Sequence, residues 1–348
     1  MKRSLALALL FAMLLTMLTA CGSTETPAAP AAEPAAETGT EVTDTAEPVV
    51  IRLAHCNPEG DPTDLEAKKF KELVEAYTDG AVSVEIFPNA ILGDWTELLE
   101  GLGLGVCEMM IEGYSDLERY TQIAALDAAP FIYEGYDHFM KVWHGDVGKE
   151  MQDAVLADSG IRIFGGCYRG ARIVTSTKPF TPAEELAALG LKIRVPSLDV
   201  YVKTWTALGT NPTPMNLNDV LTGLQQGTVE AQENPCIMSY NYGFYDVCKY
   251  VVKTEHVNSA TVFMTSESWF STLPAELQEK VLQAAEEASL YACELVRDME
   301  AEYSTKFEEP GVEVLEVDKE SFVAATESVI SDNYPELVSW VEKIKAAA

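Results

Sequence analysis

Gly190-Leu191-Lys192-Ile193-Arg194-Val195-Pro196 is a short extended run closed by a proline, and Gln232-Glu233-Asn234-Pro235 ends a second run in the same way. In the first run Leu191, Ile193 and Val195 alternate with Lys192 and Arg194, the period of a half-buried strand. Pro196 stops that strand at once, so Arg194 sits at its carboxyl end, where open α/β sheets bind ligands. A guanidinium there presents a planar fork that matches a carboxylate. The pattern alone better fits an arginine that faces solvent on a half-buried strand. Tyr168-Arg169-Gly170-Ala171-Arg172 places two cations around a glycine after the apolar run 161–168. Asn234 precedes a proline, which keeps it out of the helical region and leaves its amide at a strand end.

Outward from these runs, strands and helices alternate. Val49 to His55 reads as a strand, 65–77 as a helix ended by Gly80, and 81–88 as a strand. A helix over about 94–104 follows. The alternation resumes at 161–168, with helices over about 182–189, 198–208 and 216–226 and strands at 191–195 and 229–233. Alternation of this kind predicts α/β layering, and two such blocks predict two lobes with a cleft. Near the end, Leu277, Val281, Ala284, Ala288, Ala292, Leu295 and Met299 form one apolar stripe. A helix over 274–305 would be about 48 Å long, more than one small lobe spans.

The amino-terminal stretch has Lys2 and Arg3, then an apolar run from Leu5 to Ala20, too short to span a bilayer, which needs about 20 residues. It fits a secretory segment. Its close, Leu18-Thr19-Ala20-Cys21, resembles a bacterial lipobox, so Cys21 is the expected lipidation site and a lipid there is the expected membrane tether. Residues 22–48 are rich in Ala, Pro, Glu and Thr, with no basic residue, and read as a disordered leash.

The formal net charge of −31 disfavours nucleic acid and anionic lipid as partners and gives no long-range steering of an anion. Any bound anion therefore needs a local cluster of cations. The seven cysteines contain no CxxC pair and the four histidines no metal-ligand spacing. No metal or cofactor is expected, and the disulfide pairing stays open. No Gly-x-Ser-x-Gly elbow is present, and with 55 acidic residues chance carboxylate pairs carry no information. An enzyme is not expected.

From Val49 to about Pro235, and more loosely beyond, the chain resembles the extracytoplasmic solute-binding proteins of TRAP transporters (the DctP-type family). The resemblance rests on Ile86-Phe87-Pro88-Asn89 with Leu92-Gly93-Asp94, on 168–175, on Gly190 to Pro196, on Pro212-Thr213-Pro214-Met215, on Leu224-Gln225-Gln226-Gly227 and on Gln232 to Pro235, all in order. It implies a bilobed α/β fold of the type II periplasmic-binding-protein kind, with hinge strands and a long helix across both lobes. The expected division is a signal peptide at 1–20, the lipidated Cys21 with its linker at 21–48, lobe 1 at 49–169 and 260–299, and lobe 2 at 170–259 and 300–348. By resemblance Arg194 is the principal carboxylate-binding arginine, Arg172 the second arginine and Asn234 a contact to the same end of the ligand. Tyr168 and Ser197 are their expected neighbours, and His55, Asn57, Glu112 and Tyr114 are expected near the ligand's other end. Arg169 stands where relatives often carry a neutral residue, which points to a second acidic group on the ligand or to a surface charge. Leu217 stands where some sugar-acid binders carry an aromatic residue, which argues against a sialic-acid ligand.

The implied partners are a small organic acid and the membrane permease subunits of a TRAP transporter, with the protein monomeric and held at the outer face of the cell membrane. An ATP-driven (ABC) importer or a sensor kinase is the alternative recipient. The class of acid stays open among C4-dicarboxylates, 2-oxo or hydroxy acids, sugar acids and aromatic acids.

Overall fold

The structure, a computed structural model, describes residues 48–347. Cys21, the apolar segment before it and most of the acidic leash lie outside the described residues. Ten strands are present among them: β1 Val49–Ala54, β2 Val82–Phe87, β3 Met109–Gly113, β4 Ile161–Ser176, β5 Lys192–Val195, β6 Asn211–Pro214, β7 Ala231–Pro235, β8 Tyr250–Lys253, β9 Asn258–Ser266 and β10 Glu313–Glu316. They form two sheets that share one strand. The first runs β2-β1-β3-β9-β4, and the second places the far half of β4 between β7 and β8, continuing to β5 and β6 on one side and β10 on the other. The strand pairs of β1, β2 and β3, and those of β5, β6 and β7, are parallel, while β4 and β9 run antiparallel to their neighbours. β4 is therefore the crossover between lobes. The run at 161–168 is its first half only; the strand carries on through the two arginines to Ser176.

Local chemistry explains the first lobe's helices. Asp61 accepts from Thr63 N and Pro62 occupies the first turn, which starts the helix Pro62–Tyr77. Asp94 and Glu97 form a reciprocal capping box that starts Trp95–Gly101. β4 bends where it leaves the first lobe, with register shifts against β9 after Phe164 and after Tyr168. Gly165 sits there at φ +67, and a Cβ at that position would meet Ser289 Oγ at 2.4 Å.

The long helix is Ala275–Lys306. Its buried residues Ala284, Ala285, Ala288, Ser289, Ala292 and Cys293 are small, which lets it lie close on β4 and on the helix Pro62–Tyr77. Towards its start Ser289 Oγ donates to Glu66 Oε1 at 2.7 Å in the first lobe. Towards its end Glu300 accepts from Ala171 N at 2.7 Å, and Phe307 packs on Tyr240 in the second lobe. The helix thus touches both lobes, as its length required.

The contacts of the final segment differ from the expected division. Residues 319–333 stay on the second lobe: Phe322 packs on Phe180, and Ala183 N donates to Ser321 Oγ at 2.9 Å. The chain then crosses back. Tyr334 donates to Glu118 Oε1, His138 Nε2 meets the Ile344 carbonyl at 2.8 Å, and Lys343 pairs with Glu150. Assigning the whole of 300–348 to lobe 2 is therefore corrected, because Val338–Ala346 straps the first lobe. A short amphipathic helix fits either lobe by pattern, so sequence periodicity gave no sign of the crossing.

Candidate functional site

A cavity of about 320 Å³ lies between the lobes. The first lobe contributes residues at the ends of β1 and β3 and the start of Trp95–Gly101, among them Asn57, Asp94, Trp95, Glu112 and Asp116. The second contributes Arg194 from β5, Asn234 from β7, Arg172 from β4, and Tyr201, Asn216 and Tyr242 from following segments. A volume near 300 Å³ suits a small metabolite.

Arg194 is 4% exposed. Its Nε donates to the Met215 carbonyl at 2.8 Å, which fixes the plane of the guanidinium. Its two terminal nitrogens have no protein partner among the described residues, and the side chain lines the cavity. Burial, aided by the neighbouring Arg172 and opposed by Glu233, pushes Arg194 down to about 10. It remains charged at neutral pH and lacks a counter-ion in contact.

Arg172 is placed differently from expectation. Its Nε and Nη2 form a bidentate pair with Glu233, at 2.5 and 2.8 Å. Nη2 also reaches the Glu233 carbonyl at 3.0 Å and Asn234 Oδ1 at 3.2 Å, and Tyr201 lies under the guanidinium at 4.9 Å. Burial opposes the charge on Glu233, yet Arg172 overrides it, with help from His256 at 3.2 Å, and holds Glu233 at about 2. The pair is locally neutral. Arg172 is therefore not a free second arginine; it offers its remaining Nη1 and supports Asn234. Asn234 donates to Gln232 Oε1 at 2.7 Å and keeps one amide hydrogen for the cavity.

At the opposite wall Glu112 Oε1 accepts from Cys56 N at 2.6 Å. Asn57 is fixed through its nitrogen by Asp61 and Thr63, at 2.7 and 3.1 Å, so its side-chain oxygen is left over. Arg169 also lines the cavity and reaches across Gly113.

Six of the ten expected ligand-binding residues thus meet around one space: Arg194, Arg172, Asn234, Arg169, Glu112 and Asn57. Four do not line it. His55 is fully buried beneath the end of β1, 3.6 Å from Asp64, and burial lowers its basicity. Tyr114 is turned into the core, edge-on to Trp143 at 5.2 Å. Tyr168 is directed at the hinge, its hydroxyl 3.0 Å from Asn258 Oδ1 and 3.3 Å from Glu300 Oε2. Ser197 is exposed and outside the wall. Each lies beside a residue of the wall in sequence. Tyr168, in β4, is sent the other way by strand alternation, while His55, Tyr114 and Ser197 lie just past strand ends, where the chain turns away from the cavity.

Sequence reasoning missed Glu233, although it lies inside the quoted motif, where an acid flanked by amides on a buried strand signals a partnered charge. It also missed Asp94, although that residue lies in the quoted Leu92-Gly93-Asp94 motif, and Trp95, Asp116, Tyr201, Asn216 and Tyr242, which carry no local signal among so many acids and aromatics. Among the described residues no helix is long and apolar enough to cross a membrane, and no group of three metal-ligating side chains occurs.

Comparison with known proteins agrees with this geometry. A crystal structure of a TRAP periplasmic solute-binding protein from Roseobacter denitrificans, with bound L-galactonate, is 34% identical and superposes with a TM-score of 0.80 over 86% of this chain and 99% of that one. One from Xanthobacter autotrophicus, with bound β-D-galacturonate, is 29% identical with a TM-score of 0.81, over 86% and 100%. The 2,3-diketo-L-gulonate-binding periplasmic protein YiaO of Escherichia coli is 28% identical over 82% of this chain and 86% of its own length. The family described as bacterial extracellular solute-binding protein, family 7, matches residues 53–336. With two lobes sharing crossover strands around an arginine-bearing cleft, the chain has the type II periplasmic-binding fold and belongs to this family of TRAP transporter solute-binding proteins.

Proposed function

We propose that the protein captures a sugar acid, a six-carbon polyhydroxy monocarboxylate, and hands it to a TRAP-type membrane permease from a lipid anchor at Cys21. The observation that carries the reading is the unpaired fork of Arg194. A buried guanidinium without a counter-ion is costly, by several kcal/mol, until an anion joins it. Arg172 cannot fill that role because Glu233 already occupies two of its donors.

The ligand's carboxylate takes a bidentate bond from Arg194, with one amide hydrogen from Asn234 and one from Arg172. Its chain of hydroxyls then runs towards Glu112, Asn57, Ser115 and Asp116, an acceptor-rich wall suited to O–H donors. Trp95, Tyr201 and Tyr242 flank the cavity and offer faces for C–H groups. L-Galactonate and β-D-galacturonate in the related structures have this combination of one carboxylate and several hydroxyls. Closing of the lobes removes water and strengthens each polar contact. The apolar run before Cys21 supports export and lipidation, and family membership supports the permease as recipient.

Isothermal titration with L-galactonate and D-glucuronate tests the reading. Arg194→Ala is expected to cost about 2–5 kcal/mol of binding, and Arg194→Lys most of that, because a point charge cannot replace the fork. Unchanged affinity in the lysine variant removes Arg194 from this role. Mass spectrometry of the membrane-extracted protein tests the anchor: a diacylglycerol mass on a peptide starting at Cys21 is expected, and an unmodified cysteine refutes it.

A further inference from the structure

The wall opposite Arg194 carries a charge arrangement that the sugar-acid reading does not use. Arg169, on the bend of β4, projects over Gly113 between Glu112 and Asp116. A Cβ on Gly113 would lie 2.9 Å from Arg169 Nη1 and 3.3 Å from Asp116 Oδ2, so the cation and the carboxylate face one spot. Only a residue without a side chain leaves that spot open. Arg169 Nε is buried with no partner. Although no carboxylate makes a direct ion pair with its terminal nitrogens among the described residues, its charge acts at longer range on both Glu112 and Asp116, favouring their ionised forms. Arg169, Glu112 and Asp116 all line the ligand cavity.

We infer that Arg169 is the internal counter-ion of Glu112 and Asp116 rather than an anchor for a second ligand carboxylate, so that this wall selects sugar monoacids against sugar diacids. The inference rests on the sugar-acid reading and sharpens it. The charge count carries it: two carboxylates and one guanidinium sum to −1, or to zero when one acid holds a proton. In neither state is there positive charge to spare for an incoming anion. The opposite pole differs, since Arg172 and Glu233 cancel and Arg194 stands alone. The two walls are therefore unlike, one demanding a carboxylate and the other repelling it while accepting hydroxyl protons. Burial, then the repulsion of Glu112, pushes Asp116 up to about 7, and Arg169 pulls the other way. This agrees with a site crowded with negative charge and held by one cation.

L-Galactonate and galactarate share their hydroxyl configuration and differ at one end, a CH₂OH in the first and a carboxylate in the second. Titration calorimetry of the wild-type protein with both is expected to favour L-galactonate by tenfold or more. Asp116→Asn removes one negative charge and is expected to narrow that ratio. Arg169→Gln leaves both acids uncompensated and is expected to widen it, with melting temperatures checking that each variant folds. Galactarate binding as tightly as L-galactonate, or Arg169→Gln weakening galactarate while sparing L-galactonate, overturns the inference and leaves the sugar-acid reading in place. Failure of both acids to bind the wild-type protein overturns the sugar-acid reading, and this inference with it.

Discussion

Single residues divide into those whose charge is cancelled inside the protein and those whose charge is left for a ligand. Arg172 and Glu233 belong to the first group, Arg194 to the second. Glu66 shows a third outcome. It is wholly buried, accepts from Ser289 through one oxygen, and has no partner for the other. Burial pushes it up to about 8 from an ordinary 4.5. The folded state thus holds its proton more tightly than the unfolded chain does. The stability this contributes is complete below about 4.5 and falls as pH rises towards about 8. Glu66→Gln keeps the shape and removes the titration. Its urea midpoint is expected to exceed that of the wild type at pH 8.5 and to approach it at pH 5. Parallel pH profiles for the two proteins contradict this.

At the scale of elements, β4 and the long helix Ala275–Lys306 hold the lobes together, and their contact is close because both are built from small residues there. Gly165 combines a left-handed φ of +67 with a virtual Cβ 2.4 Å from Ser289 Oγ. Ser289 cannot turn away without losing its bond to the buried Glu66. Gly165→Ala is therefore expected to destabilise the protein by about 1–3 kcal/mol through backbone strain and the clash. Denaturant titration measures it, and a loss below about 0.5 kcal/mol shows that the bend relaxes. The long helix was legible from its stripe of Val281, Ala284, Ala288 and Ala292, all of which are buried. The far half of β4 was not. Its alternating apolar face is broken by Arg169, Gly170 and Arg172, residues that belong to the cavity and the hinge, so function masked the period there.

For the molecule as a whole, the lobes meet at the cavity through Asn216 Nδ2 and Asp94 Oδ2, 3.3 Å apart and exposed, and away from it through the partly buried Val200 N and Glu118 Oε2 at 3.3 Å. An exposed polar contact such as the first contributes about 1 kcal/mol or less, and a single partly buried hydrogen bond such as the second about 0.5–1.5 kcal/mol. They are too weak to keep the lobes closed, whereas a ligand bonded to both walls biases the hinge. Small-angle scattering is expected to show a smaller radius of gyration on saturation with L-galactonate, and Arg194→Ala is expected to abolish the change at the same concentration. Identical curves with and without ligand would mean that binding does not move the lobes.

The sequence by itself determined the family, the α/β layering and the long helix, because each is written in short-range patterns: ordered motifs, alternation and a helical stripe. For Arg194 the strand pattern also fits a solvent-facing side chain, and its expected ligand role came from the resemblance. It also gave the other residues of the arginine pole, since Arg172 and Asn234 lie in motifs of the same kind. Only the tertiary structure decided which of those charges is spent internally. Glu233 reaches Arg172 because β7 lies beside β4, a pairing between residues 61 apart. It also decided the far wall, where β1, β3 and the bend of β4 bring Asn57, Glu112, Asp116 and Arg169 together, and the return of the last helix to the first lobe. Charge balance is a property of neighbours in space, and in a chain with 55 acids sequence order does not say which of them a given arginine will meet.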